Sequence, residues 1–191
     1  MTTHSSARQK LLNVASDLFY REGIHSVSID KIVEKSGVSK ATLYRHFPTK
    51  DDLVVTYLKE HEHHIWQHFD KAINLHEGSP KSQLHALIDA TIELLKPMYY
   101  RGCPFLNILV EFPEENHPAH KLALEYNRAL QLRLSLLSQK AGVTEENWTD
   151  QLLMVINGAY ASIPVLGFEG SALQLKTVAT QLIDHKLMDN R

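Results

Sequence analysis

The sequence predicts an all-α chain, with an N-terminal three-helix helix-turn-helix unit joined to a larger helical domain. Apolar residues recur at helical spacing from one end to the other, strand-like alternation is scarce, and Gly or Pro stands between the helical runs. With 191 residues, 43% of them hydrophobic and 22% charged, the chain has the material for one large domain or a small one fused to a larger one.

A first helix from about Ala7 to Glu22 places Leu11, Ala15, Leu18 and Phe19 on one side and ends before Gly23. Ser28 is a suitable N-cap for a second helix, in which Ile29, Ile32 and Val33 recur at helical spacing until Gly37 supplies a positive-φ stop. Ser39 then caps a third helix. On its wheel Leu43 and Phe47 fall together and pack inward, Ala41 and Arg45 lie opposite, and Thr42, Tyr44 and His46 flank them. This outer face suits a DNA major groove, which makes residues 1–50, with a motif at about 28–47, a candidate DNA-binding domain. Thr49-Lys50-Asp51-Asp52 resembles a capping box and opens a long helix to about His76, ended by Gly78-Ser79-Pro80.

Residues 51–191 form the expected larger helical domain. Beyond the long helix, further helices are expected over Lys81 to Lys96, Pro104 to Glu111, His117 to Ala141, Thr144 to Leu166 and Ser171 to Leu187. In the last two, Leu152, Ile156, Ala159, Ile163 and Leu166 make one stripe, and Leu175, Val178, Leu182 and Ile183 another. Two copies sharing these helices would make a four-helix interface, and the same stripes would serve equally well in a monomer core.

Charge is distributed unevenly. Residues 1–50 hold eight Lys/Arg against four Asp/Glu, a net of +4, while residues 51–191 hold twelve against eighteen, a net of −6. Phosphate contacts dominate affinity for DNA, so the basic end is the end suited to it. Met1 to Ser6 is polar, with no basic region followed by an apolar one, and the expected location is the cytoplasm. The only cysteine, Cys103, excludes an intrachain disulfide. Gln151 to Phe168 is free of charge, but Asn157, Gly158, Ser162, Pro164 and Gly167 favour a buried helix over a membrane span.

Catalytic, cofactor and metal signatures are weak. His61-Glu62-His63-His64-Ile65 has Ile where a zincin motif needs its second His, so the His61 to His68 group reads as a solvated helix face, although His64 and His68 have the i, i+4 spacing of two zinc ligands. Gly37-Val38-Ser39-Lys40-Ala41 lacks the last Gly of a hydrolase elbow, and the chain has neither a phosphate-binding loop nor a dinucleotide fingerprint. Cys103, near Arg101, is expected to be a small buried residue in preference to a redox sensor. These readings assign no catalytic residue, cofactor or metal ligand.

The segment VEKSGVSKATLYRHFPTKDDLV, Val33 to Val54, resembles the DNA-binding module of the TetR family of bacterial transcriptional regulators. The likeness covers the glycine turn, the Thr-Leu-Tyr-x-x-Phe pattern of the capped third helix and the lysine opening the fourth, and extends loosely from Ser6 to Glu60. The resemblance implies that Ser39 opens a recognition helix, that Lys40, Thr42, Tyr44 and His46 face DNA, and that Lys50 meets a phosphate. Arg45 occupies a variable position of the motif; an arginine there can pair bidentately with guanine, and Ser28 can offer a hydroxyl and an N-terminal amide to phosphate. The resemblance further implies that residues 51–191 are an effector-binding and dimerisation domain, with a homodimer joined through the last two helices, a palindromic double-stranded DNA operator, a small-molecule effector and, as the expected outcome, repression. An effector cavity is expected among Trp66, Tyr99, Cys103, Phe105, Asn107, Glu111 and Tyr126, with Phe105, Asn107 and Glu111 as one wall. The alternative from another class is a helical metal-binding or hydrolytic protein with a structural three-helix N-terminus.

Overall fold

The computed structural model describes residues 6–96, 101–143, 145 and 147–188, with side chains as far as 186. Among them are eight helices and no strand: α1 (Ala7–Glu22), α2 (Ile29–Ser36), α3 (Lys40–His46), α4 (Lys50–Asn74), α5 (Pro80–Leu94), α6 (Pro104–Glu111), α7 (Pro118–Lys140) and α8 (Trp148–Met188). They form two compact units, Met1–Glu62 with Pro104–Leu124, and His63–Cys103 with Glu125–Arg191. The unit that holds the helix-turn-helix therefore extends beyond residues 1–50. It takes in the first half of α4, all of α6 and the start of α7, because these supply part of its core.

In this first unit α1 buries Leu11, Leu12, Ala15, Leu18 and Phe19, α2 buries Ile32, and α3 buries Leu43. Leu53, Val54 and Tyr57 continue the core on α4, where the Tyr57 ring meets Phe19 edge-on at 5.8 Å. Helix starts are capped as the sequence expects. Thr49 Oγ1 accepts from the Asp52 N–H at 3.1 Å while the Thr49 N–H donates to Asp52 Oδ2 at 3.0 Å, a reciprocal capping box that opens α4.

In the second unit α5 packs on α8. Lys81 Nζ lies 2.8 Å and His85 Nε2 3.1 Å from Asp184 Oδ1, and Lys176 pairs with Asp89. Arg133 pairs with Asp70, and its guanidinium sits 4.2 Å from the centre of the Trp66 ring.

The sequence expects two final helices divided over Gly167 to Gly170. The break is confined to Gly167, at φ 70° and ψ 175°, and helix resumes at once. The arms 148–166 and 168–188 therefore follow each other without a linker. The charge-free stretch also departs from a fully buried helix. Leu152, Ile156, Ala159 and Ile163 are buried, but Met154 (74% exposed), Val165 (83%) and Leu166 (51%) face outward, as does Leu173 (62%) beyond the break. By length and composition alone α8 passes for a membrane span; its buried stripe belongs to the protein core.

Candidate nucleic-acid interface

Two capped helices and one left-handed glycine shape the helix-turn-helix. Ser28 Oγ accepts from the Lys31 N–H at 3.2 Å and so starts α2. Gly37 ends it at φ 66°, ψ 16°, with its N–H on the Val33 carbonyl at 3.0 Å. A side chain there would strain the turn, because L-residues rarely adopt that conformation. Two residues on, Ser39 Oγ accepts from the Thr42 N–H at 3.2 Å and lies 3.0 Å from Thr42 Oγ1, which starts α3.

The orientation of α3 follows from what it buries. Leu43 is fully buried and Phe47, the residue after the helix, is 2% exposed. Arg8 of α1 lies over the Phe47 ring at 5.3 Å. With that side fixed inward, Lys40, Ala41, Tyr44, Arg45 and His46 are exposed and Thr42 is half-buried. Lys40 Nζ reaches Asp30 Oδ1 of α2 at 2.7 Å, and this hydrogen bond and the carboxylate charge raise its pKa above the ordinary 10.5. Both partners are exposed, so the pair is weak and its lysine can exchange partners.

Lys50 is placed differently from the other predicted contacts. It is half-buried, and its Nζ donates to the Ile24 carbonyl at 2.6 Å. Burial lowers its pKa, opposed by the nearby carboxylates of Asp51 and Glu111.

The residues expected to line an effector cavity are divided between the units. Trp66 and Tyr126 stand together in the second, ring centres 5.2 Å apart, and Cys103 is buried there. Phe105, Asn107 and Glu111 belong to the first. Phe105 is fully buried, and Asn107 and Glu111 border a crevice of about 10 Å³, room for about one water molecule. Tyr99 lies outside the described residues. A cavity of about 800 Å³ in the second unit is lined by Trp148, Gln151, Val178, Gln181, Leu182 and His185; of these the sequence marked only Val178 and Leu182, as members of an apolar stripe, and none as an effector contact. In the histidine-rich part of α4, His63 Nε2 is 2.9 Å from Gln67 Nε2, and among the described residues no three His, Cys, Asp or Glu side chains converge as metal ligands would.

Residues 11–56 match the family profile described as bacterial regulatory proteins, tetR family. Over the whole chain, the fold matches SCO4454, a TetR-family transcriptional regulator from Streptomyces coelicolor, with a TM-score of 0.85 and 30% identity, covering 96% of this chain and 95% of that one. The chain belongs to the TetR family. An uncharacterised HTH-type transcriptional regulator in the lacX 3′ region of Lactococcus lactis subsp. lactis is 26% identical over 174 residues, 90% of this chain and 84% of that protein. YxaF of Bacillus subtilis, also an uncharacterised HTH-type transcriptional regulator, is 40% identical over 77 residues, but the match spans only 40% of YxaF. As a TetR-family member the chain is a DNA-binding transcriptional regulator, and its relatives are transcriptional regulators.

Proposed function

We infer that the chain is a cytoplasmic, homodimeric repressor that leaves a palindromic operator when a small-molecule effector binds. The observation that carries the DNA contact is the polarity of α3: Leu43 and Phe47 are buried, while Lys40, Ala41, Tyr44, Arg45 and His46 are exposed on a basic segment. In this reading Arg45 and Thr42 read base edges, and Ser28, Ser39, Lys40, Tyr44 and His46 position the backbone. The backbone contacts are the lesser source of sequence preference and the greater source of salt dependence.

The dimer reading is supported by the outward apolar face of α8. Met154, Val165, Leu166 and Leu173 are exposed apolar side chains on this one helix, and a second copy would cover them. Dimer partners must hold their recognition helices about 34–36 Å apart to enter successive major grooves. An effector acts by binding unequally to conformers that do and do not keep that spacing, and DNA must then weaken effector binding by the same factor. Trp66 and Tyr126 are the proposed aromatic wall for it, with Cys103 in the same unit.

The test is selection of duplexes from a random pool by the full chain, followed by salt titration of the winner. Enrichment of a two-fold symmetric site with steep salt dependence supports the reading. Enrichment of asymmetric single sites would remove the dimer, and no enrichment would remove the operator.

A further inference from the structure

The turn between α1 and α2 is held by a bracket of two oppositely charged side chains. Residues 23–28 are in no helix, so their backbone groups need partners from elsewhere. At Ile24, 3% exposed, both groups find side chains: its N–H donates to Glu111 Oε2 of α6 at 2.6 Å, and its carbonyl accepts from Lys50 Nζ of α4 at 2.6 Å. The His25 N–H adds a second donor to Glu111 Oε2 at 3.3 Å, and its ring Nε2 donates to the Glu111 backbone carbonyl at 2.7 Å. The other protein donor on the Ile24 carbonyl is the Val27 N–H, at 3.3 Å. The chemistry is directional: a cation meets the carbonyl and an anion meets the amides, so the two residues cannot exchange places.

This arrangement works against Lys50 as a phosphate ligand. Moving its ammonium to DNA would strip the shorter, charged donor from the Ile24 carbonyl and leave it only the longer bond from the Val27 N–H, and losing a charge-assisted hydrogen bond at a buried acceptor is costly. The neighbouring Glu111 carboxylate also offsets the charge that would release counterions. The turn leads directly to Ser28, the cap of α2, so fixing Ile24 fixes where α2 begins.

We propose that Lys50 and Glu111 are positioning residues that set the α1–α2 turn for sequence-selective DNA binding, and that Lys50 does this in place of contacting phosphate. The proposal rests on the DNA-binding reading above, and that reading is tested separately by whether the wild-type chain binds the duplex it selects.

The experiment compares full-length wild type, Lys50→Met, Glu111→Leu and Glu111→Gln on the selected duplex and on random duplex, across a salt series. Lys50→Met and Glu111→Leu should each weaken the selected duplex about tenfold or more, leaving random-duplex affinity and the salt slope unchanged. Glu111→Gln keeps an acceptor oxygen and should bind within about threefold of wild type. Amide exchange at Ile24 and His25 should speed up in Glu111→Leu and not in Glu111→Gln. A salt slope lowered by about 0.9 in Lys50→Met, with random-duplex affinity falling in step, would make Lys50 a phosphate ligand and overturn the proposal. Unchanged selectivity in Glu111→Leu would overturn it independently, even if Lys50→Met does not fold.

Discussion

Leu43→Ala is the substitution through which the architecture of the head can be measured. Leu43 is fully buried on a helix of seven residues, a length at which α3 cannot be stable without packing. The change deletes three carbon groups; at about 0.8 kcal/mol each the transfer loss is about 2.4 kcal/mol, and incomplete collapse of the cavity carries the total toward about 5 kcal/mol. A loss of that size raises local opening of α3 by roughly two orders of magnitude or more. Urea unfolding should show the lower midpoint, and hydrogen exchange should locate the added opening at α3. Arg45→Ala, on the exposed side of the same helix, should stay within about 0.5 kcal/mol of wild type. A Leu43→Ala loss below about 1 kcal/mol would refute the inward assignment of this face, and with it the assignment of the opposite face to DNA.

Three further outcomes are expected. Arg45→Ala should relax preference at particular operator positions by about 1–3 kcal/mol, whereas Lys40→Ala should weaken all duplexes and lower the salt slope by about 0.9, both read from binding to a randomised operator library. Met154→Glu with Val165→Glu should convert a dimer to monomer in light scattering, since like charges buried without partners cost about 3 kcal/mol or more, roughly 100-fold in affinity; an unchanged dimer would place the interface elsewhere. Acid should cost the second unit stability through Asp184, whose carboxyl the hydrogen bond from Lys81, aided by His85, holds below its ordinary 3.8. Because the folded pKa is the lower one, this stabilisation is present above 3.8 and is lost as pH falls through the folded value. Urea midpoints for Asp184→Asn should therefore be lower at neutral pH and change less on acidification.

The parts of the head legible in the sequence are those fixed by local chemistry. Ser28, Ser39 and Thr49 with Asp52 are caps whose partners lie within three residues, and Gly37 takes the left-handed conformation that its position calls for. Leu43 and Phe47 could be placed inward from helical spacing alone. The bracket could not be read this way, because Glu111 is 87 residues from Ile24 and nothing in its neighbourhood marks it as a partner for a distant turn. Hydropathy also could not divide the charge-free stretch into an inward stripe and an outward face. Both are apolar, and only the packed neighbours distinguish Ile156, 2% exposed, from Met154, 74% exposed. The extent of the first unit was hidden for a similar reason, since α6 joins it through contacts distant in sequence. The candidate DNA face was accordingly more legible than the effector site, whose expected residues lie in two units.

Footprinting the selected duplex with the full-length chain shows whether two copies present their α3 helices to one operator. Two protected half-sites related by two-fold symmetry are expected, with centres about 10–10.5 base pairs or a multiple of that apart, on one face of the duplex. Protection of a single half-site, or of two at a spacing that puts them on opposite faces, would contradict it.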